Sequence, residues 1–133
     1  MKYIVDYGVL VQQKFLDFFA DENAVYMFAD GIHQPHYIGI AFEFVCELSS
    51  GTRQVDFDDL YNNVFKDKKW LYIDTLSEMS DEFIASLSHI QIVSIFAAMR
   101  HKELFCTGFI EGCGKHKVII RLLRQLKKNL ECK

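Results

Sequence analysis

One proline, Pro35, stands in 133 residues, and no stretch is rich enough in Ser, Gly or Pro to act as a linker. No internal repeat and no low-complexity tract interrupts the chain, so one domain is expected rather than two. Long apolar runs are also missing. The longest uncharged stretch in the second half, Phe83 to Met99, contains Ser86, Ser88, His89, Gln91 and Ser94, too polar for a membrane span. The opening residues, MKYIVDYGVLVQQK, are broken by Asp6 and carry no cleavage pattern, which predicts a cytoplasmic protein without an export leader. No phosphate-cradling glycine loop, nucleophile elbow or spaced carboxylate pair is present, which leaves no motif-based reason to favour an enzyme.

Cysteine is sparse, with four residues at 46, 106, 113 and 132. Without an export signal these are expected to be reduced thiols rather than disulfides. Half of the residues are hydrophobic, and twelve are Phe. A chain of this length and composition can bury a core without staples.

Apolar spacing points to helices almost throughout. Val11, Phe15, Phe18 and Phe19 predict one over about 8–20. Residues 22–30 are apolar in the middle and end before Gly31, which would suit a C-cap. In PHYIGIAFEFVCELSSG, Ile38, Ile40, Phe42, Phe44, Cys46 and Leu48 alternate like a strand. His36, Gly39, Glu43, Glu47 and Ser50, however, recur at helical steps. Pro35 suits a first turn and Gly51 a stop, which favours a largely buried helix. A short helix is predicted over about 57–66, capped by Asp56, and extended chain over KKWLYIDTL; any further strand would lie at Lys2 to Val5. Thr75 with Glu78, and Ser88 with Gln91, have the capping-box spacing. The second pair would open a helix running to about Lys102. A short helix over 104–113 and a final one over 117–130 complete the prediction. The fold class is all-α: a single compact multi-helix domain with at most a minor strand pair. Its core is expected to hold Phe15, Phe19, Phe42, Phe44, Ile92, Phe96, Met99, Phe105, Ile119, Leu122 and Leu126.

The stretch FCTGFIEGCGKHKVII concentrates reactive residue types. Gly108 and Gly112 would share one helix face, and Gly114 would end that helix in a left-handed cap. Cys106 and Cys113, seven apart, would lie about 10 Å apart along a helix, too far to chelate one metal, and they read as two buried thiols. A Cys113/His116 thiol–imidazole pair is the enzymatic alternative, although a helix C-terminus disfavours a thiolate. His33 and His36, with Glu43 as a third ligand, form the metal-binding alternative. Neither displaces the main expectation: no catalytic residue, no metal and no cofactor.

Charge is unevenly distributed. Residues 114–133 hold seven cations (Lys115, Lys117, Arg121, Arg124, Lys127, Lys128 and Lys133) against Glu131, a net +6; the other eight cations and seventeen acids give −9. At 100° per residue Lys117, Arg121, Arg124 and Lys128 form one narrow stripe opposite Ile119, Leu122, Leu123, Leu126 and Leu130. Such a stripe is either a solvated face or a contact for an acidic protein surface, including self-association as a homodimer. Nucleic acid is disfavoured, because the rest of the domain is acidic and no aromatics interleave the cations. An aromatic patch at Trp70 to Tyr72 is a second candidate contact. The function expected is a non-enzymatic interaction or regulatory module.

The C-terminal third, FCTGFIEGCGKHKVIIRLLRQL, resembles the closing motif of the bacterial domain of unknown function 6508. Phe105, Cys106, Gly108, Gly112, Ile119, Arg121, Leu123, Arg124 and Leu126 fall in register with it, and SHIQIVSIFAAMRH resembles that family's penultimate helix. Leu104 stands where the family carries Arg, and Lys115, His116 and Lys117 stand where it carries Glu-Ser-Gly. The resemblance implies a small, soluble, mainly helical bacterial or phage protein, and it brings no activity with it.

Overall fold

The computed structural model describes residues 7–51 and 76–131. The predictions for Lys2 to Val5, residues 57–66, KKWLYIDTL, Trp70 to Tyr72 and the Thr75 cap fall outside them. A 3-10 turn, Tyr7–Val11, leads into α1 (Gln13–Ala20). Two short strands follow, β1 (Met27–Phe28) and β2 (His36–Tyr37), and then α2 (Gly39–Gly51). The later helices are α3 (Asp81–Ser86), α4 (His89–Glu103), α5 (Phe109–Lys115) and α6 (Val118–Glu131). Among the described residues the architecture is mainly helical, as the apolar spacing predicts, with one antiparallel strand pair, β1 with β2, which lies where the sequence suggested no strand. Among the described residues no helix is long and apolar enough to cross a membrane.

Local chemistry sets the helix starts. Ser80 Oγ accepts the Phe83 N–H at 3.1 Å and opens α3, with Asp81 and Glu82 at its positive end. Ser88 and Gln91 close the expected capping box: Ser88 Oγ accepts Gln91 N–H at 3.2 Å, and Gln91 Oε1 accepts Ser88 N–H at 2.8 Å.

Helix α6 organises the packing. It lies against the 3-10 turn, α1, α3, α4 and α5, while α2 packs on α1 and α4. Phe44 of α2 sits at the centre. It meets Phe15 at 5.1 Å and Phe19 at 4.6 Å, both on α1, and Phe96 of α4 at 6.0 Å between ring centroids. All are edge-on contacts, the arrangement that aromatic quadrupoles favour. Nearly all buried apolar residues join one cluster.

Several expectations are corrected. Residues 22–30 form no helix; Gly31 (φ +78) belongs to the connection between β1 and β2. Asp30 organises that connection by accepting the Ile32 and His33 N–H groups at 2.9 and 2.8 Å. Pro35 precedes β2 rather than opening α2. Phe42 is 54% exposed. The buried stripe of α2 is Ala41, Phe44 and Leu48, and Phe42 lies about 100° around the helix from Ala41. Phe105 is 75% exposed, because α4 ends at Glu103 and α5 begins only at Phe109. The other nine expected core residues are buried.

The turn between α4 and α5 is built on Glu103. Its Oε1 accepts the Tyr37 hydroxyl at 2.5 Å and the Ile110 N–H at 2.9 Å, and its Oε2 accepts the Gly108 N–H at 2.7 Å. The Tyr37 oxygen in turn accepts the Glu111 N–H at 3.0 Å. One carboxylate thus satisfies two amide donors at the start of α5 and ties the strand pair to it. Gly108 is the residue before the helix, at φ +91, a conformation cheap only for Gly. It does not share a helix face with Gly112.

Gly114 lies inside α5 and is not its cap. Its role is close approach: an added Cβ would stand 2.6 Å from Tyr26 Oη and 2.7 Å from Tyr26 Cε1. The left-handed residue between α5 and α6 is Lys117, at φ +66.

Candidate functional site

The amphipathic α6 carries the candidate site. Val118, Ile119, Ile120, Leu122, Leu123 and Leu126 are buried, and Arg124 and Lys128 are exposed on the opposite side. The hydrophobic drive that seats one face therefore presents the other to solvent.

The four stripe residues have different fates. Lys117 precedes the helix and is half-buried. Arg121 is a brace: its guanidinium donates to Met79 O at 2.5 Å and to Asp81 Oδ1 at 2.9 Å, tying α6 to the start of α3. Its side chain is only 25% exposed, against 94% for Asp81. Arg124 and Lys128 are exposed and, like the half-buried Lys117, have no ion pair among the described residues. Neighbouring Lys127 is within 4.0 Å of Glu131.

Two grooves run along these cations. One, of about 410 Å³, lies between α6 and α1, with Leu16 and Ile120 in its floor and Asp17 and Glu131 at its edge. The other, of about 380 Å³, lies between α6 and α3 and is lined by Asp81, Ile84, Ala85, Arg121 and Gln125. Arg124 and Lys128 line both, so they form a cationic ridge between two shallow troughs.

The thiol and imidazole candidates are dispersed. Cys113 is fully buried on α5, and its thiol is pushed up to about 12, first by burial and then by the Glu103 charge. That is the opposite of what a thiolate nucleophile requires. His116 is exposed beyond the end of α5. Cys106 is exposed in the turn before α5, so it is neither buried nor on a helix face with Cys113. Near the other pair, His33 Nδ1 lies 2.8 Å from Asp30 Oδ2, and this contact leads the causes that hold the Asp30 carboxyl down at about 2. Among the described residues no three His, Cys, Asp or Glu side chains gather as a metal site.

A thiol reagent should therefore label Cys46 and Cys106 in the native protein and Cys113 only after unfolding. Mass spectrometry of the labelled peptides checks this, and native labelling of Cys113 would contradict the burial. Because folding raises the Cys113 pKa, its contribution to stability is complete below the ordinary 9.0 and is lost as pH climbs towards about 12.

Sequence spacing did not reveal the Tyr37–Glu103 latch or the Tyr26–Gly114 contact, since each joins residues far apart in the chain. No protein-family model, no curated protein and no solved structure matches the chain.

Proposed function

We propose that this chain is a small bacterial or phage protein-interaction module, without catalytic activity of its own, whose partner presents an acidic surface to Arg124 and Lys128. The observation that carries this reading is the ridge: two exposed cations without ion-pair partners among the described residues, standing between two troughs on an otherwise well-anchored helix. The troughs give an acidic partner somewhere to seat side chains. The brace at Arg121 and the bond from Asn129 Nδ2 to Leu87 O, at 2.9 Å, hold the helix in place while it does so. The overall acidity of the remaining chain favours a protein partner over nucleic acid, and it makes a second copy one such acidic surface.

The test is charge reversal at the ridge alone, Arg124→Glu with Lys128→Glu, sparing Arg121 because its loss would loosen α3. Helicity should stay unchanged. Binding of a synthetic glutamate-rich peptide, strong at low salt, should fall by about tenfold or more. In the wild type it should also weaken as salt is added, since screening acts within about 10 Å at 0.1 M. Sedimentation of both proteins reads out self-association in the same experiment. Equal peptide binding and equal sedimentation for the two proteins would end the proposal.

A further inference from the structure

A third recess, of about 370 Å³, lies away from the ridge, where the end of α1 meets the junction of α5 and α6. It is lined by Asp21, Glu22, Tyr26, Gly114, Lys115 and Lys117. We infer that it binds a small zwitterion of the α-amino-acid class, with the Tyr26 hydroxyl and Lys117 on the carboxylate and Asp21 and Glu22 on the ammonium.

The first observation is Tyr26 itself. The residue is 4% exposed, and its ring is packed edge-on against Phe18 at 5.0 Å. Its hydroxyl reaches the recess wall over Gly114, at a point that only a residue without a Cβ leaves open. Among the described residues that hydroxyl has no hydrogen-bond partner. Buried polar groups are almost always paired, so an unpaired one facing a cavity calls for a ligand or solvent to complete it. The phenol also stays protonated, with its pKa pushed up to about 12 by burial, then by Glu111 and Asp21, so at neutral pH it can donate.

The second observation is the charge arrangement. The wall carries two carboxylates and two ammonium groups. Lys115 is engaged with Glu111 at 3.5 Å, whereas Lys117, at φ +66 between the two helices, has no ion pair among the described residues. Asp21 uses Oδ1 to accept the Asn23 N–H at 2.9 Å, which orients the carboxylate without neutralising it. A simple anion would face two carboxylates here, and a simple cation two lysines. A dipolar molecule satisfies both halves, and the volume lies at the lower end of the range for small-ligand sites.

The experiment is calorimetric titration and thermal melting of the full chain with each of the common free α-amino acids. Each is repeated as its N-acetyl form, which lacks the cation, and as its amide, which lacks the anion. At least one free amino acid should give saturable heat and raise the melting temperature, with both blocked forms about tenfold weaker or worse. Tyr26→Phe removes only an unpartnered hydroxyl and keeps the ring between Phe18 and Phe19, so it should fold normally and bind about tenfold more weakly. Lys117→Gln should do the same, and so should Asp21→Asn combined with Glu22→Gln. The inference is overturned if no free amino acid binds the folded wild type. It also falls if Tyr26→Phe and Lys117→Gln bind as well as the wild type, or if inorganic phosphate or the N-acetyl form binds as tightly as the free amino acid.

Discussion

Phe44→Ala should cost the fold about 3–5 kcal/mol, a large part of the stability of an ordinary domain. The residue is fully buried and joins three helices through its ring, to Phe15 and Phe19 on α1 and to Phe96 on α4. Truncation removes the transfer energy of the ring and leaves a cavity walled by stiff aromatics that cannot collapse into it. In urea the midpoint should fall with little change in slope. On heating, the transition should move down by about 10–20 °C. The control lies two residues away: Phe42→Ala, on the same helix, should cost less than about 1 kcal/mol, because that ring is 54% exposed. Similar losses for the two variants would mean that α2 presents a different face to α1 and α4.

That pair of phenylalanines also shows where reading the sequence succeeds and where it stops. The helical identity of α2 could be recovered from the polar stripe through Glu43 and Glu47. Its orientation could not. Apolar residues surround the helix, and composition alone gave Phe42 and Phe44 equal claim to the core. The start of α4 was fully legible, because a capping box is a local exchange between residues three apart, as Ser88 and Gln91 show. The turn after α4 was not. Its geometry depends on Glu103 reaching forward to Gly108 and Ile110 and outward to Tyr37, sixty-six residues away in the chain. Without that carboxylate in view, Phe105 and Cys106 look like the beginning of an apolar helix.

The cationic stripe was legible in the same partial sense. Helical periodicity places Arg121, Arg124 and Lys128 on one side of α6, and they are on one side. It cannot say that Asp81, forty residues earlier, and the Met79 carbonyl claim Arg121. Tertiary neighbours therefore divide a uniform stripe into a structural brace and a free ridge, which is why the charge-reversal test leaves Arg121 in place.

Gly114→Ala sets two opposing effects against each other, and the sign of the result decides between them. Gly114 sits within α5, and in an unobstructed helix alanine would stabilise it by about 1 kcal/mol. Here the new methyl would stand 2.6 Å from Tyr26 Oη, 2.7 Å from Cε1 and 2.8 Å from Cζ, closer than real Cβ contacts come. The ring cannot swing away freely, since Phe18 packs edge-on against it at 5.0 Å and Phe19 flanks it at 5.9 Å. Relief requires α5 to shift away from the aromatic cluster, and α5 is itself held by Glu103 at its first turn. Overpacking of this kind costs about 1–3 kcal/mol, so a net destabilisation is expected. The decisive comparison repeats the substitution in a Tyr26→Ala background. With the ring gone, the same methyl should become neutral or stabilising, and the two effects should be strongly non-additive. A Gly114→Ala protein more stable than the wild type would mean that Tyr26 does not lie against α5, and the recess proposed beside it would lose its floor.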